Sequence, residues 1–344
     1  MTLDARINGR KVCLVFDTGS AVSLTIWERT AERLSLETRQ EEGRRVATFA
    51  FDAAGGTWPE AKALLMDFLP FPEVDGIIGW PAFRDAAWRV NWEQNSLEAL
   101  SAVPQEVLSW QVLNIDDRMP VAAVLAEEEK GGLIYLDTGS PDGVALSNAR
   151  WEKWTSGASD MPETLSSGYM PAAEGLFVTE VRWAEEIRVG ALRVDQVLVE
   201  RSVYKWPRLE AVLGLEALKH FDMGMDLRAG RVYVKQRPYF GEEAKYNRLG
   251  AAFVPVSVDS EKLVGHVLKE SPAYRAGLRS GDILLKVDRI DMTQWRTDPA
   301  ILKKEFWFAP AGTHYTLEIL RDGKEHIIPV VLEEIFKPKP PSVR

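Results

Sequence analysis

The chain is short of cysteine: Cys13 is the single one among 344 residues, so no disulfide can form within it and the redox compartment stays open. Cys13 lies in an apolar run and reads as a small core side chain. Histidine is nearly as scarce. His220, His266, His314 and His326 are scattered without metal-ligand spacing, which points to no metal site, and no cofactor is assigned. No uncharged apolar run reaches the roughly 18 residues of a membrane-spanning helix, and Met1-Thr2-Leu3-Asp4-Ala5-Arg6 lacks the pattern of a signal peptide. A net basic charge is missing too. The formal charge of -9 and pI near 5.2 exclude the basic face that nucleic acid or an anionic membrane requires. There is no Gly-rich phosphate loop and no strand-turn nucleophile motif for Ser-His or Cys-His chemistry.

What is present is a globular composition, 46% apolar, enough to fill the cores of two or three domains. Its 42 Lys and Arg stand beside 51 Asp and Glu. A protein built for strong acid sheds its bases, because protonating the carboxylates would leave a large self-repelling positive charge. Mildly acidic to neutral surroundings are therefore expected.

One tetrapeptide occurs twice, with its aspartates 120 residues apart. Asp17-Thr18-Gly19-Ser20 closes the apolar run Val12 to Phe16, and Asp137-Thr138-Gly139-Ser140 closes Leu133 to Leu136. A β-type run before a Gly-Ser turn pushes each Asp out of a sheet into a loop, where the two could meet as a carboxylate dyad. The surroundings repeat as well. Each Asp follows a hairpin pattern, with turns at Asn8-Gly9 and at Glu127 to Gly132. Each is followed by an apolar-apolar-Gly element, Ile77-Ile78-Gly79 and Val212-Leu213-Gly214, where the missing side chain lets two backbone segments cross closely. A short helical piece, Pro81 to Asp85 or Leu215 to His220, and a closing strand come next.

Between Asp loop and Gly element each half carries a polar, Gly-marked stretch suited to an exposed hairpin. These are Gly55-Gly56-Thr57-Trp58 and Gly168-Tyr169 with their neighbours. The second half alone has a strand, Trp110 to Ile115, ahead of its hairpin; its first-half counterpart is expected either upstream of Met1 or from the C-terminal part. Beyond Arg237 the pattern changes. Ser271-Pro272 starts a short helix that Gly277 ends, Gly281-Asp282 turns into a strand, and a second helix is expected over about Asp298 to Phe308.

With both Asp-Thr-Gly-Ser loops and both Gly elements in place, residues 1 to 238 resemble the pepsin and retropepsin-like aspartic proteases. The resemblance implies a mainly β fold with two pseudo-twofold β-barrel lobes, residues 1–101 and 102–238, and Asp17 and Asp137 as the catalytic dyad. It also implies that Thr18 and Thr138 tie the loops together and that Gly19 and Gly139 let backbone N–H groups approach the carboxylates. Ser20 and Ser140 would hydrogen-bond to the outer carboxylate oxygens. Gly55, Gly56 and Trp58, and Gly168 with Tyr169, would act as flaps over a polypeptide substrate.

Residues 249–335 resemble a bacterial-type PDZ domain, a small β-barrel with two helices, carried by Ser271-Pro272-Ala273, Ala276-Gly277-Leu278 and Gly281-Asp282-Ile283-Leu284. Leu249-Gly250-Ala251-Ala252-Phe253 occupies the place of the loop whose N–H groups cradle a peptide C-terminus. A linker at 239–248 and a basic, Pro-rich tail at 336–344 complete the organisation. The two resemblances imply an aspartic endopeptidase whose PDZ domain recruits or gates substrate; the alternative is an inactive peptide-binding scaffold. Fused halves make a homodimer unnecessary, so a monomer is expected. Bacterial proteins of this make-up resemble exported ones, which implies an exported or periplasmic location.

Overall fold

The computed structural model describes residues 2–53, 56–66, 74–94, 96–116, 121–124, 132–157, 161–170, 175–237, 245–257, 260–295, 297–298, 301 and 304–336. The fold is mainly β. It divides into two compact units, one of Met1–Ala145, Ile187–Asp195 and Trp206–Tyr239, the other of Leu146–Glu186, Gln196–Lys205 and Phe240–Arg344.

In the first unit, strands β1 (Thr2–Ile7) and β2 (Arg10–Asp17) form an antiparallel hairpin. Asn8 and Gly9, at φ 49° and 78°, make the left-handed turn that suits the twist of such a pair. Along β2, Val12, Leu14 and Phe16 point into the core while Cys13, Val15 and Asp17 are half-buried on the other face. Cys13 is thus not the buried core side chain expected; the two-residue strand period assigns it to the opposite face.

The chain continues through β3 (Leu24–Trp27), α1 (Glu28–Arg33), β4 (Thr38–Glu41), β5 (Arg44–Ala53), β6 (Gly56–Met66) and β7 (Gly76–Gly79). The strand order is β1-β2-β7-β3-β6-β5-β4, and an extra β1–β5 pairing turns the sheet back on itself. Strand β7 lies parallel to β2, placing Gly79 opposite Asp17. Asp75 anchors this pairing. Its carboxylate accepts from Cys13 N–H at 2.9 Å, Thr30 Oγ1 at 3.0 Å and Arg33 at 2.6 Å.

After β7 the expected helical piece is only a 3-10 turn, Trp80–Phe83, followed by β8 (Ala87–Asn91) and β9 (Ser96–Leu100). The second half brings β10 (Gln111–Asp116), β11 (Ala122–Val124), β12 (Leu133–Leu136) and β13 (Val144–Leu146). Helix α2 (Asn148–Thr155) is capped by Ser147 Oγ, which accepts from Arg150 N–H. Strands β14 (Glu163–Met170), β15 (Gly175–Val189), β16 (Leu192–Arg201) and β17 (Leu209–Leu213) precede α3 (Leu215–Leu218), β18 (Phe221–Asp226) and β19 (Arg231–Gln236).

Strand β17 runs parallel to β12 with Leu213 opposite Leu136, as β7 runs beside β2. The two sequence halves are stitched by consecutive antiparallel strands, β10-β19-β18-β8-β9. Among the described residues this run ends at β9, and no strand from the C-terminal part pairs there.

The second unit holds β14 and the adjoining part of β15, α2, and a six-stranded sheet. That sheet contains β20 (Ala251–Pro255), β21 (Leu263–Val267), β22 (Ile283–Val287), β23 (Ile290–Asp291), β24 (His314–Arg321) and β25 (Lys324–Val331). Its core gathers Leu249, Phe253, Leu278, Leu284, Leu317 and Ile319. Helix α4 (Pro272–Ala276) starts where Ser271 Oγ accepts from Tyr274 N–H and stops at Gly277, φ 106°. Buried Asp282 takes a two-pronged ion pair from Arg321 at 2.6 and 2.7 Å, and Arg321 also donates to Gly277 O at 2.8 Å, tying the helix end to the sheet.

The second expected helix falls partly outside the described residues: Ile301 is helical, while Lys304 and Glu305 are not. Residues 299–300 and 302–303 lie outside the described set, and Phe306–Phe308 forms a 3-10 turn. The expected linker ends in packed residues, since Tyr246, Asn247 and Arg248 are buried. Phe336 is buried as well, its ring 4.6 Å from that of Tyr246, so it is no part of a free tail; residues 337–344 lie outside the described set.

Candidate functional site

Strand β2 ends in Asp17, and Asp137 follows directly on β12, its N–H donating to Leu213 O at 2.9 Å. Both loops belong to the first unit, and they meet. Thr18 N–H donates to Thr138 Oγ1 and Thr138 N–H to Thr18 Oγ1, each at 3.0 Å. Each hydroxyl then donates onward across the junction, Thr18 to Leu136 O at 2.5 Å and Thr138 to Phe16 O at 2.9 Å. These two threonines are buried, so the crossed bonds satisfy groups that water does not reach.

The glycines are required by the opposite aspartate. A Cβ on Gly19 would stand 2.6 Å from Asp137 Oδ1, and one on Gly139 would stand 2.5 and 2.7 Å from the oxygens of Asp17. Each missing side chain is the space that the other carboxylate fills. Gly19 N–H donates to Asp17 Oδ1 at 2.6 Å, while Asp137 Oδ1 accepts from Gly139 at 2.9 Å and Ser140 at 3.2 Å.

Burial first, and the neighbouring charge of Asp137 second, push the Asp17 carboxyl up to about 7; the N–H of Gly19 pulls the other way. Two carboxylates this close resist double ionisation, so the pair holds a proton across the mildly acidic range and titrates as one unit.

The serines depart from expectation. Instead of reaching the outer carboxylate oxygens, Ser20 Oγ donates to Val22 O at 3.2 Å, and Ser140 Oγ donates to Asp142 Oδ2 at 3.0 Å. Short hydroxyl side chains readily bond to groups two residues ahead, and here they close each loop into a local turn.

The Gly elements lie against these turns. A Cβ on Gly79 would come 2.7 Å from Ser20 O, and one on Gly214 would come 2.9 Å from Ser140 Oγ. Ile78 and Leu213 beside them are buried in the core. In the first exposed hairpin, Trp58 stacks near Phe51 with ring centroids 5.5 Å apart and covers Gly56; Gly55 lies outside the described residues. In the β14–β15 hairpin of the second unit, Gly168 pairs with Phe177, whose ring covers it. Tyr169 is described through its backbone pairing with Leu176 alone.

The expected carboxylate cradle is already engaged. Asn247 Oδ1 accepts from Leu249 N–H at 2.9 Å and Gly250 N–H at 3.0 Å, and Asn247 Nδ2 donates to Ala251 O at 2.8 Å. Gly250 has φ 68° and no room for a side chain against Ser271. Ala251, Ala252 and Phe253 are buried in β20. Thr164 Oγ1 of β14 donates to Asn247 O at 2.6 Å, so the loop is also tied to the hairpin strand of its own unit.

Sequence reasoning missed Asn247, Asp142, Phe177 and Tyr135. Tyr135 looked like one more apolar strand residue, yet its hydroxyl donates to Gly19 O at 2.7 Å, reaching from the second half into the first loop. Asp142 could have been noticed as an acid where the first repeat has Val22.

Comparison with known proteins bears on one part of the chain. Residues 263–301 match the family model of the PDZ domain. The matched stretch covers β21, α4, β22 and β23, and the chain therefore carries a PDZ domain, a peptide-binding module. No curated protein matches the chain. Among the described residues no helix is long and apolar enough to cross a membrane.

Proposed function

We propose that the chain is an aspartic endopeptidase with two lobes built around the repeated loops, and that its PDZ domain brings polypeptide to it. The observation that carries this reading is the pair of aspartates locked by crossed threonine bonds, each occupying the space of the other loop's missing side chain. A structural role gives no reason to bury two acids together, because their mutual repulsion and desolvation oppose folding.

In the proposed reaction the ionised aspartate takes a proton from a water whose oxygen attacks the peptide carbonyl carbon. The protonated aspartate hydrogen-bonds to the carbonyl oxygen and supports the tetrahedral intermediate. Collapse breaks the C–N bond as the leaving amine accepts a proton, and the dyad returns to one proton. With Asp17 at about 7, this state extends from mild acid to near neutrality. The hairpins bearing Gly56 and Trp58, and Gly168 and Tyr169, are assigned to holding substrate.

The test is incubation with an unfolded protein or a peptide library from pH 3 to 8, with Asp17→Asn and Asp137→Asn as controls. Fragments formed by the wild type and by neither variant support the reading; the same fragments from all three would falsify it. A second reading, a scaffold that binds peptide without turnover, is favoured by the PDZ match. It predicts peptide affinity unchanged in both variants and no fragments from any of them.

A further inference from the structure

The two Asp loops share the crossed threonine bonds and a glycine N–H donated to their own aspartate, and beyond these the serine side chains differ by one charge. In the first loop Ser20 Oγ donates to the backbone carbonyl of Val22 and accepts from Val22 N–H at 3.3 Å. In the second, Ser140 Oγ accepts from Asp142 N–H at the same 3.3 Å, but donates to the Asp142 carboxylate at 3.0 Å. A backbone carbonyl suffices to hold the serine in the first loop. The carboxylate is therefore not needed for that task in the second, and what it adds is a negative charge.

That charge sits on a short path to the dyad. Asp142 holds the Ser140 hydroxyl, Ser140 N–H donates to Asp137 Oδ1 at 3.2 Å, and Asp137 and Asp17 each lie against the other's loop glycine. Gly214 makes room for this hydroxyl, since a Cβ there would stand 2.9 Å from it. The charged groups facing Asp142 are Asp137 on its own loop and Glu216 on α3. Glu216 is ion-paired with Lys219 at 2.7 Å on the surface, so it weighs less than Asp137.

We infer that Asp142 is a positioning residue for the proposed dyad: as a charge on one loop only, it makes the two aspartates unequal and keeps their shared proton bound to higher pH. The physical reason is like-charge repulsion in a site poor in water, where removing the last proton leaves three carboxylates in a row. Asp142 is itself raised, by burial first and by the charge of Asp137 after it, while the Ser140 hydroxyl pulls it down. The inference rests on the peptidase reading for its catalytic meaning but not for its electrostatics.

The experiment compares wild type, Asp142→Asn, Asp142→Val and Asp142→Glu by two readouts between pH 4 and 9. One is the pH profile of peptide hydrolysis; the other is Tm against pH, which follows the dyad titration with or without turnover. Asp142→Asn keeps an acceptor for Ser140, and Asp142→Val copies the first loop. Both should move the alkaline limb and the stability titration down by about 0.5 to 1 pH unit, while Asp142→Glu restores the wild-type profile and Glu216→Gln leaves it in place. Wild-type titration in both neutral variants overturns the inference, as does a loss of stability in Asp142→Val with no displacement in Asp142→Asn. If no variant and no wild type hydrolyses peptide, the peptidase reading fails, and the Tm titration alone still decides the role of Asp142.

Discussion

The loop at Asp17 and the loop at Asp137 show how a repeat can be symmetric in frame and unequal in chemistry. Their backbones meet through reciprocal bonds of the same length, and both are crossed by a Gly element from a parallel strand. The departures all come from the second half. Tyr135 reaches Gly19 O where Val15 has nothing to offer in return, and Asp142 stands where Val22 does. Backbone bonds constrain both loops alike, because each loop's threonine is the other's partner. Side chains one step further out are free to differ, and there the two carboxylates acquire different surroundings.

The largest expected effect tests the symmetry of the dyad itself. If the chain is the proposed peptidase, Asp17→Asn and Asp137→Asn should each lower peptide hydrolysis by about 10²- to 10⁴-fold, measured as kcat/KM on one peptide; a variant that keeps its rate would show that only one carboxylate works. Next in size, Thr18→Val and Thr138→Val each leave a buried N–H and a buried carbonyl without a partner. Each should cost about 2 to 4 kcal/mol in urea unfolding, by equal amounts, and the double variant should cost less than their sum.

The pH dependence of stability separates the carboxylates more finely. Because the folded state raises Asp17 to about 7 from an ordinary value near 3.8, its stabilising share is complete below about pH 4 and is lost as pH rises through about 7. Asp17→Asn should therefore gain several degrees in Tm over wild type near pH 8 and little near pH 4. His220 works in the opposite sense: burial lowers it to about 4, so it costs stability as pH falls from about 6.5 toward 4. Comparing Asp17→Asn with wild type at each pH cancels that contribution. The smallest effect belongs to the one-sided contact. Tyr135→Phe should cost about 1 kcal/mol by denaturation, and a cost no larger than that of Val15→Ala would deny the hydroxyl any special part.

A good deal of this was legible in the chain. The strand before each Asp, the Asn8-Gly9 turn, the Ser271-Pro272 start and the Gly277 stop are local signals, and local sterics read them directly. The closing strands and the Gly elements followed from repetition. Where reading failed, the deciding contact was distant or small in energy. Whether a serine turns to Asp17 or to Val22 is a choice between two short hydrogen bonds that no pattern encodes. Cys13 changed face because Leu14 and Phe16 took the core positions of β2. Asn247 was read as linker, yet its side chain holds the N–H groups of Leu249 and Gly250 that the family pattern offers to a peptide terminus.

By itself the sequence determined that there are two Asp loops, that each ends an apolar strand, and that a PDZ-type stretch follows. Those are matters of order along the chain, set by strand periodicity and turn sterics. Only the tertiary structure decided that Asp17 and Asp137 face one another, that each fills the place of the other loop's absent Cβ, and that Asp142 stands behind one of them alone. The reason is that a carboxylate's chemistry depends on what lies within a few ångströms of it, and those neighbours come from the other half of the repeat.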